Sequence, residues 1–81
     1  AKDAFNTVKH GISLAQAARI EWADAVTWLD MRHDYGEARM CAIAYMGLRL
    51  YCVVYVDRAN VHRVISLRKA NLKEVQRYAE A

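Results

Sequence analysis

The 81-residue chain has no proline, three glycines and two cysteines. Without proline or a glycine-rich tract it offers no linker, repeat or low-complexity segment, and its length suits one domain, residues 1–81, with one core. No apolar run approaches the ~18 residues that a membrane-spanning helix needs, and no basic-then-apolar leader opens the chain. Cys41 and Cys52 stand far apart inside apolar runs. That defines neither a disulfide framework nor a zinc site, so both are expected as buried thiols of a cytoplasmic protein. The chain begins with Ala1 rather than methionine, so an initiator segment is expected to be missing.

Charge is present but unevenly spread. Residues 1–48 hold five Lys/Arg and six Asp/Glu, a net of −1; residues 49–81 hold seven and three, a net of +4. Basic charge gathered in one half suits a polyanionic partner such as RNA or DNA, although many ordinary domains also carry a basic face.

Periodicity orders the elements. Ala1, Ala4, Phe5 and Val8 place an apolar side on a helix over residues 1–10, with Lys2, Asn6 and Lys9 as a polar stripe and Gly11 as its left-handed end. Ser13 and Gln16 read as a capping box opening a second helix that runs to about Trp22. Strands follow over 25–31, 38–46, 49–57 and 61–67, with a polar loop over Arg32–Glu37 that holds Tyr35-Gly36. Gly47-Leu48 forms a two-residue hairpin turn of type II′. Cys41, Ile43, Leu50, Cys52, Val54 and Val56 share one face, taken as the better core. Met40, Ala42, Ala44, Tyr51, Val53 and Tyr55 share the other. Asn71 and Glu74 form a capping box on a last helix, whose buried stripe is expected to be Leu72, Val75 and Tyr78/Ala79. The class is α+β: two N-terminal helices, an antiparallel four-stranded sheet and a C-terminal helix.

Three stretches carry a resemblance: Lys2, Asn6 and Lys9-His10-Gly11-Ile12-Ser13; Arg32-His33-Asp34-Tyr35-Gly36-Glu37 with Arg39; and Val53-Val54-Tyr55 followed by Arg63 to Ala70, with Glu74 and Tyr78. In this order, over nearly the whole chain, they resemble the BrnT family of ribonuclease toxins. The sequence departs from the family pattern in three ways. A short strand containing Trp-Asp, usual before the residue matching Lys2, is absent; Asn71 stands for a threonine; and Val75 stands for an arginine. The resemblance implies a RelE-like fold and growth arrest through RNA cleavage. It also implies neutralisation by a BrnA-type antitoxin with a ribbon-helix-helix part, through which alone the toxin would meet DNA.

The resemblance further implies cleavage without a metal or other cofactor, in which the ribose 2′-OH attacks the adjacent phosphate to leave a 2′,3′-cyclic phosphate. That chemistry needs a base, cations for the phosphorane and an acid for the leaving oxygen. Arg63, Arg68 and Lys69 are the candidates for phosphate, since arginine forks onto phosphate and cations beside a helix N-terminus deepen an anion site. Solvated charges at a helix start are the alternative for Arg68 and Lys69. His10 is the candidate for proton transfer by residue type, or else a cation at a helix C-terminus. Lys9, Glu37 and Tyr78 are further candidates, although Glu37 could instead pair with Arg39, Tyr78 could be core, and Glu74 reads as a cap. Lys9, Arg39, Tyr55 and Ser66 are expected to touch RNA, and Tyr51 and Tyr55 could stack bases or lie packed beneath a helix. His33 and Asp34 fall short of a metal set, and His62 reads as a surface residue. Two other readings compete: a catalytically inert RNA- or antitoxin-binding module of the same fold, and a small domain whose basic half docks an acidic partner.

Overall fold

In the computed structural model, which describes residues 2–31 and 37–81, α1 (Lys2–His10) ends where Gly11 takes φ +71° and its N–H returns to Thr7 O at 2.8 Å. This is the left-handed helix stop expected there. Val8, expected on the buried side of α1, is exposed, and Asn6, expected in the polar stripe, is buried. The expected second helix is instead two short 3-10 segments, Leu14–Arg19 and Trp22–Asp24. The Ser13 hydroxyl caps the first by accepting from Ala15 N–H at 3.2 Å, while the Gln16 N–H goes to the Ser13 carbonyl at 3.1 Å. The reason lies in the spacing. Leu14, Ala17 and Ile20 recur every three residues, and a 3-10 helix lines up such residues on one side, where Ala17 and Ile20 are buried.

β1 (Val26–Leu29), β2 (Met40–Met46), β3 (Arg49–Arg58) and β4 (Val61–Lys69) form one antiparallel sheet in the order β1-β2-β3-β4. The class is therefore α+β with a four-stranded antiparallel sheet. The expected Arg32–Glu37 loop, with the His33/Asp34 pair, lies outside the described residues except for Glu37. At the β2–β3 turn Gly47 takes φ +67° and Leu48 does not turn positive, as a type II′ hairpin requires. Cys41 pairs with Val54 and Ile43 with Cys52, so the two free thiols are not directly opposed.

Five of the six residues of the expected core face are buried, all but Val54, but the cluster that packs the N-terminal segments lies on the opposite face. Ala42, Ala44, Val53, Tyr55 and Leu67, all nearly inaccessible, pack with Ile12, Ala17 and Ile20. Ala42 and Ala44, small residues of β2, share that cluster with Ala17 and Ile20 of the 3-10 region. Each fully buried aliphatic side chain there contributes about 1.5–3 kcal/mol.

The β3–β4 turn is strained. Ala59 sits at φ +48° and Asn60 at +66°, the two left-handed residues of a type I′ turn. A Cβ in that region costs ~1–2 kcal/mol, and glycine gives part of the relief back through its freer unfolded chain. Ala59→Gly is therefore expected to stabilise the fold by about 0.5–1 kcal/mol, raising Tm by roughly 2–6 °C in a thermal melt. An unchanged or lower Tm would contradict that strain.

α2 (Leu72–Glu80) starts with the expected capping box. Asn71 Oδ1 accepts from Glu74 N–H and Glu74 Oε1 accepts from Asn71 N–H, each at 2.9 Å. Of its expected apolar stripe only Tyr78 turns inward, while Leu72 is 72% and Val75 40% exposed. Three contacts set the inward side. Glu74 reaches Arg68, Arg77 lies 3.8 Å from the centre of the Trp28 ring, and Tyr78 meets Tyr45 edge to face.

Candidate active site

The second face of the sheet is apolar along β2 and β3, where Cys41, Ile43, Cys52 and Val56 are buried, and polar along β4. Register places Cys52 opposite Arg68, Val54 opposite Ser66 and Val56 opposite Arg63, so all six point to one side. Strict alternation along β4 would send Arg63 and Ser66 to opposite sides. A bulge beside Val54 and Tyr55 inserts Ile65 as an extra residue and restores them to a common face.

The C-terminal end of α1 lies over this face. Together they make a cleft of about 290 Å³ lined by Lys9, His10, Trp28, Cys41, Cys52, Val54, Ser66, Arg68 and Glu74. Arg68 donates from Nη1 and Nη2 to the two carboxylate oxygens of Glu74 at 2.7 and 2.8 Å, and from Nη1 to Lys69 O at 3.3 Å. That fork fixes the guanidinium plane and ties α2 to β4. Burial works against the Glu74 charge. The bonds from Arg68, the Asn71 N–H and the Cys52 thiol nevertheless hold its carboxyl below the ordinary range. Partial desolvation, then Lys9 and Arg68, keep the His10 imidazole below its ordinary 6.5, so its neutral form prevails at neutral pH. Burial pushes the Cys52 thiol up to about 12, which leaves it protonated and unreactive. The cleft thus holds two cations, a neutral imidazole, a hydroxyl and one carboxylate already engaged.

Four expected site residues meet here: Lys9, His10, Ser66 and Arg68. Arg63 shares the face but sits further along β4, near Arg39, Arg58 and Glu37. Glu37 pairs with Arg58 through both carboxylate oxygens (2.9 and 2.8 Å), not with Arg39. Those bonds, with the charges of Arg63 and Arg39, hold the Glu37 carboxyl below its ordinary value, so it has no proton to give at neutral pH. Lys69 pairs with Tyr51 and faces the other side of the sheet from Arg68. Tyr55 is 3% exposed within the core against Trp22, where no RNA base can reach it. Tyr78 is packed against Tyr45 and does not line the cleft. His62 lies at the surface, stacked near Trp22 and bonded to Asp57.

Sequence reasoning missed Asn6 and Glu74. Asn6, 3% exposed, donates from Nδ2 to Ile12 O (2.7 Å) and Leu67 O (2.8 Å) and accepts the Leu67 N–H at 3.1 Å. Its place in a motif was the only available signal. Glu74 was read as a cap and is one, but the same carboxylate also holds Arg68. A larger cleft of about 650 Å³ on the other face, lined by Leu14, Ala17, Trp22, Val61 and His62 among others, has no Lys or Arg in its wall. It is the less suitable place for a phosphate.

One cleft thus brings a helix-borne histidine and a strand-borne arginine together, a pairing chemically suited to a phosphate ester. Residues 1–74 match the model of a family described as the ribonuclease toxin BrnT of a type II toxin–antitoxin system. The chain belongs to that family: it is a ribonuclease toxin, with RNA as its substrate and an antitoxin as its partner. No curated protein matches the chain. No helix among the described residues is long and apolar enough to cross a membrane.

Proposed function

We propose that this toxin is a metal-independent endoribonuclease whose cleft, lined by Lys9, His10, Ser66 and Arg68, breaks the RNA backbone by 2′-OH attack. Neutral His10 takes the 2′-proton as the 2′-oxygen bonds to phosphorus. Arg68 and Ser66 hold the non-bridging oxygens as negative charge builds on the phosphorane. The bond to the 5′-oxygen breaks, Lys9 supplies that oxygen with a proton, and a 2′,3′-cyclic phosphate and a 5′-hydroxyl remain. Arg63 and Arg39, further along the same face, hold flanking phosphates. Lys69, Tyr55 and Tyr78 have no part in this scheme. The observation that carries it is the meeting of α1 and β4 in one cleft, a base from one element and a cation from the other.

Metal-free protein incubated with a mixed RNA and chelator is expected to yield cyclic-phosphate ends. Its kcat/KM should hold at pH 6.5 and fall only at lower pH, because His10 must be neutral to act and its pKa is held below that ordinary value. New 3′-hydroxyl ends, or activity lost with the chelator, would overturn the scheme. The hold of Glu74 on Arg68 favours a second reading, an inert module that binds RNA or antitoxin without cutting. RNA retarded but intact would select it. By the family resemblance, the antitoxin is of BrnA type with a ribbon-helix-helix part, which provides the only route to DNA, and the pair acts in the cytoplasm.

A further inference from the structure

We propose that Asn6 is a positioning residue, whose carboxamide clamps α1 to the edge of β4 and so holds Lys9 and His10 over Ser66 and Arg68. This rests on the cleft being the site of cleavage. β4 is an edge strand, and the outward N–H and C=O of an edge residue need partners. At Leu67 the Asn6 side chain supplies both, taking the N–H on Oδ1 and giving Nδ2–H to the carbonyl, as a neighbouring strand would. Leu67 is flanked by Ser66 and Arg68, whose side chains face the cleft while its own enters the core.

On the helix, Lys9 and His10 lie three and four residues after Asn6, on the same side one turn along. The other Nδ2–H reaches Ile12 O and fixes the chain where it leaves the helix past Gly11. One buried amide therefore joins three backbone groups at the point where the helix-borne and strand-borne halves of the cleft meet. A misplacement of about 1 Å between such halves is enough to cost roughly 10²-fold in rate.

The test compares Asn6→Ala with Val53→Ala, a core change directly opposite Leu67 that removes none of the Asn6 bonds. The readouts are the NMR titration of His10 and the kinetics of the folded fraction. The ionisable side chains lining the cleft around His10 are Lys9, Cys41, Cys52, Arg68 and Glu74. In Asn6→Ala, His10 is expected to titrate closer to 6.5, as Arg68 and the desolvating contacts recede. Its kcat should fall by roughly tenfold to a hundredfold with KM little changed. Val53→Ala should leave the His10 midpoint depressed and kcat near wild type. If Asn6→Ala does not hold its fold, Asn6→Ser, which keeps one donor, should show the same changes in smaller measure. A His10 midpoint unmoved in the folded Asn6 variant, or moved equally by Val53→Ala, would overturn the clamp. The titration needs no cleavage, so an inert wild-type protein would sink the nuclease scheme and leave the clamp standing or falling by the titration.

Discussion

Replacing Arg68 with alanine is expected to slow RNA cleavage by about 10²–10³-fold, the usual loss when one preorganised donor to a developing oxyanion is removed. The change should appear mainly in kcat, because the charge it meets is greatest in the phosphorane. Arg68→Lys should recover only part of the rate. A lysine restores charge but not the planar fork, and the fork is what Glu74 uses to set the plane of the group. The check is single-turnover cleavage on variants whose folded fraction has been measured. Wild-type rates in Arg68→Ala would remove Arg68 from the chemistry and leave it a structural tie between β4 and α2.

Replacing Glu74 with alanine is expected to lower stability by about 2–3 kcal/mol, from the lost helix cap and from a half-buried guanidinium left without its counter-charge. For a domain of this size that lowers Tm by roughly 10–20 °C. Glu74→Gln should lose less, since glutamine at this helix position can still reach back to the Asn71 N–H. The Glu74 carboxyl is more acidic in the folded chain than its ordinary 4.5. Its stabilisation is therefore full above about pH 4.5 and fades as pH falls through the lower folded value. Denaturant melts of wild type and Glu74→Ala should accordingly converge in strongly acid solution. A gap between them that stays constant down to pH 2 would show that the charge on Glu74 contributes nothing.

The features that sequence made legible are those written within a few residues. Gly11 stops α1, Gly47-Leu48 turns β2 into β3, and Asn71 with Glu74 opens α2. Each is decided by local backbone geometry, which residue type alone can announce. The face that the N-terminal segments cover was not legible, because Ala42 and Ala44 look weak beside Ile43 and Leu50. Arg63 and Ser66 differ by an odd number of residues, and only the bulge at Ile65 brings them to one side. Lys9, His10 and Arg68 were singled out from motifs and residue chemistry. That they meet depends on Asn6 finding Leu67, 61 residues away, which no periodicity encodes.

The sheet has one further consequence, for the order in which the molecule assembles. Every strand pairs with its neighbour in sequence, so the hairpins close short loops and lose little chain entropy in doing so. The docking of α1 onto β4 joins Asn6 to Leu67, 61 residues apart, and closes a far longer loop. The meander can form first, and the first helix seats on its edge afterwards. Half of the cleft arrives with that last step. A chain stalled short of it would carry a finished sheet and only the strand-borne half of the proposed cleft.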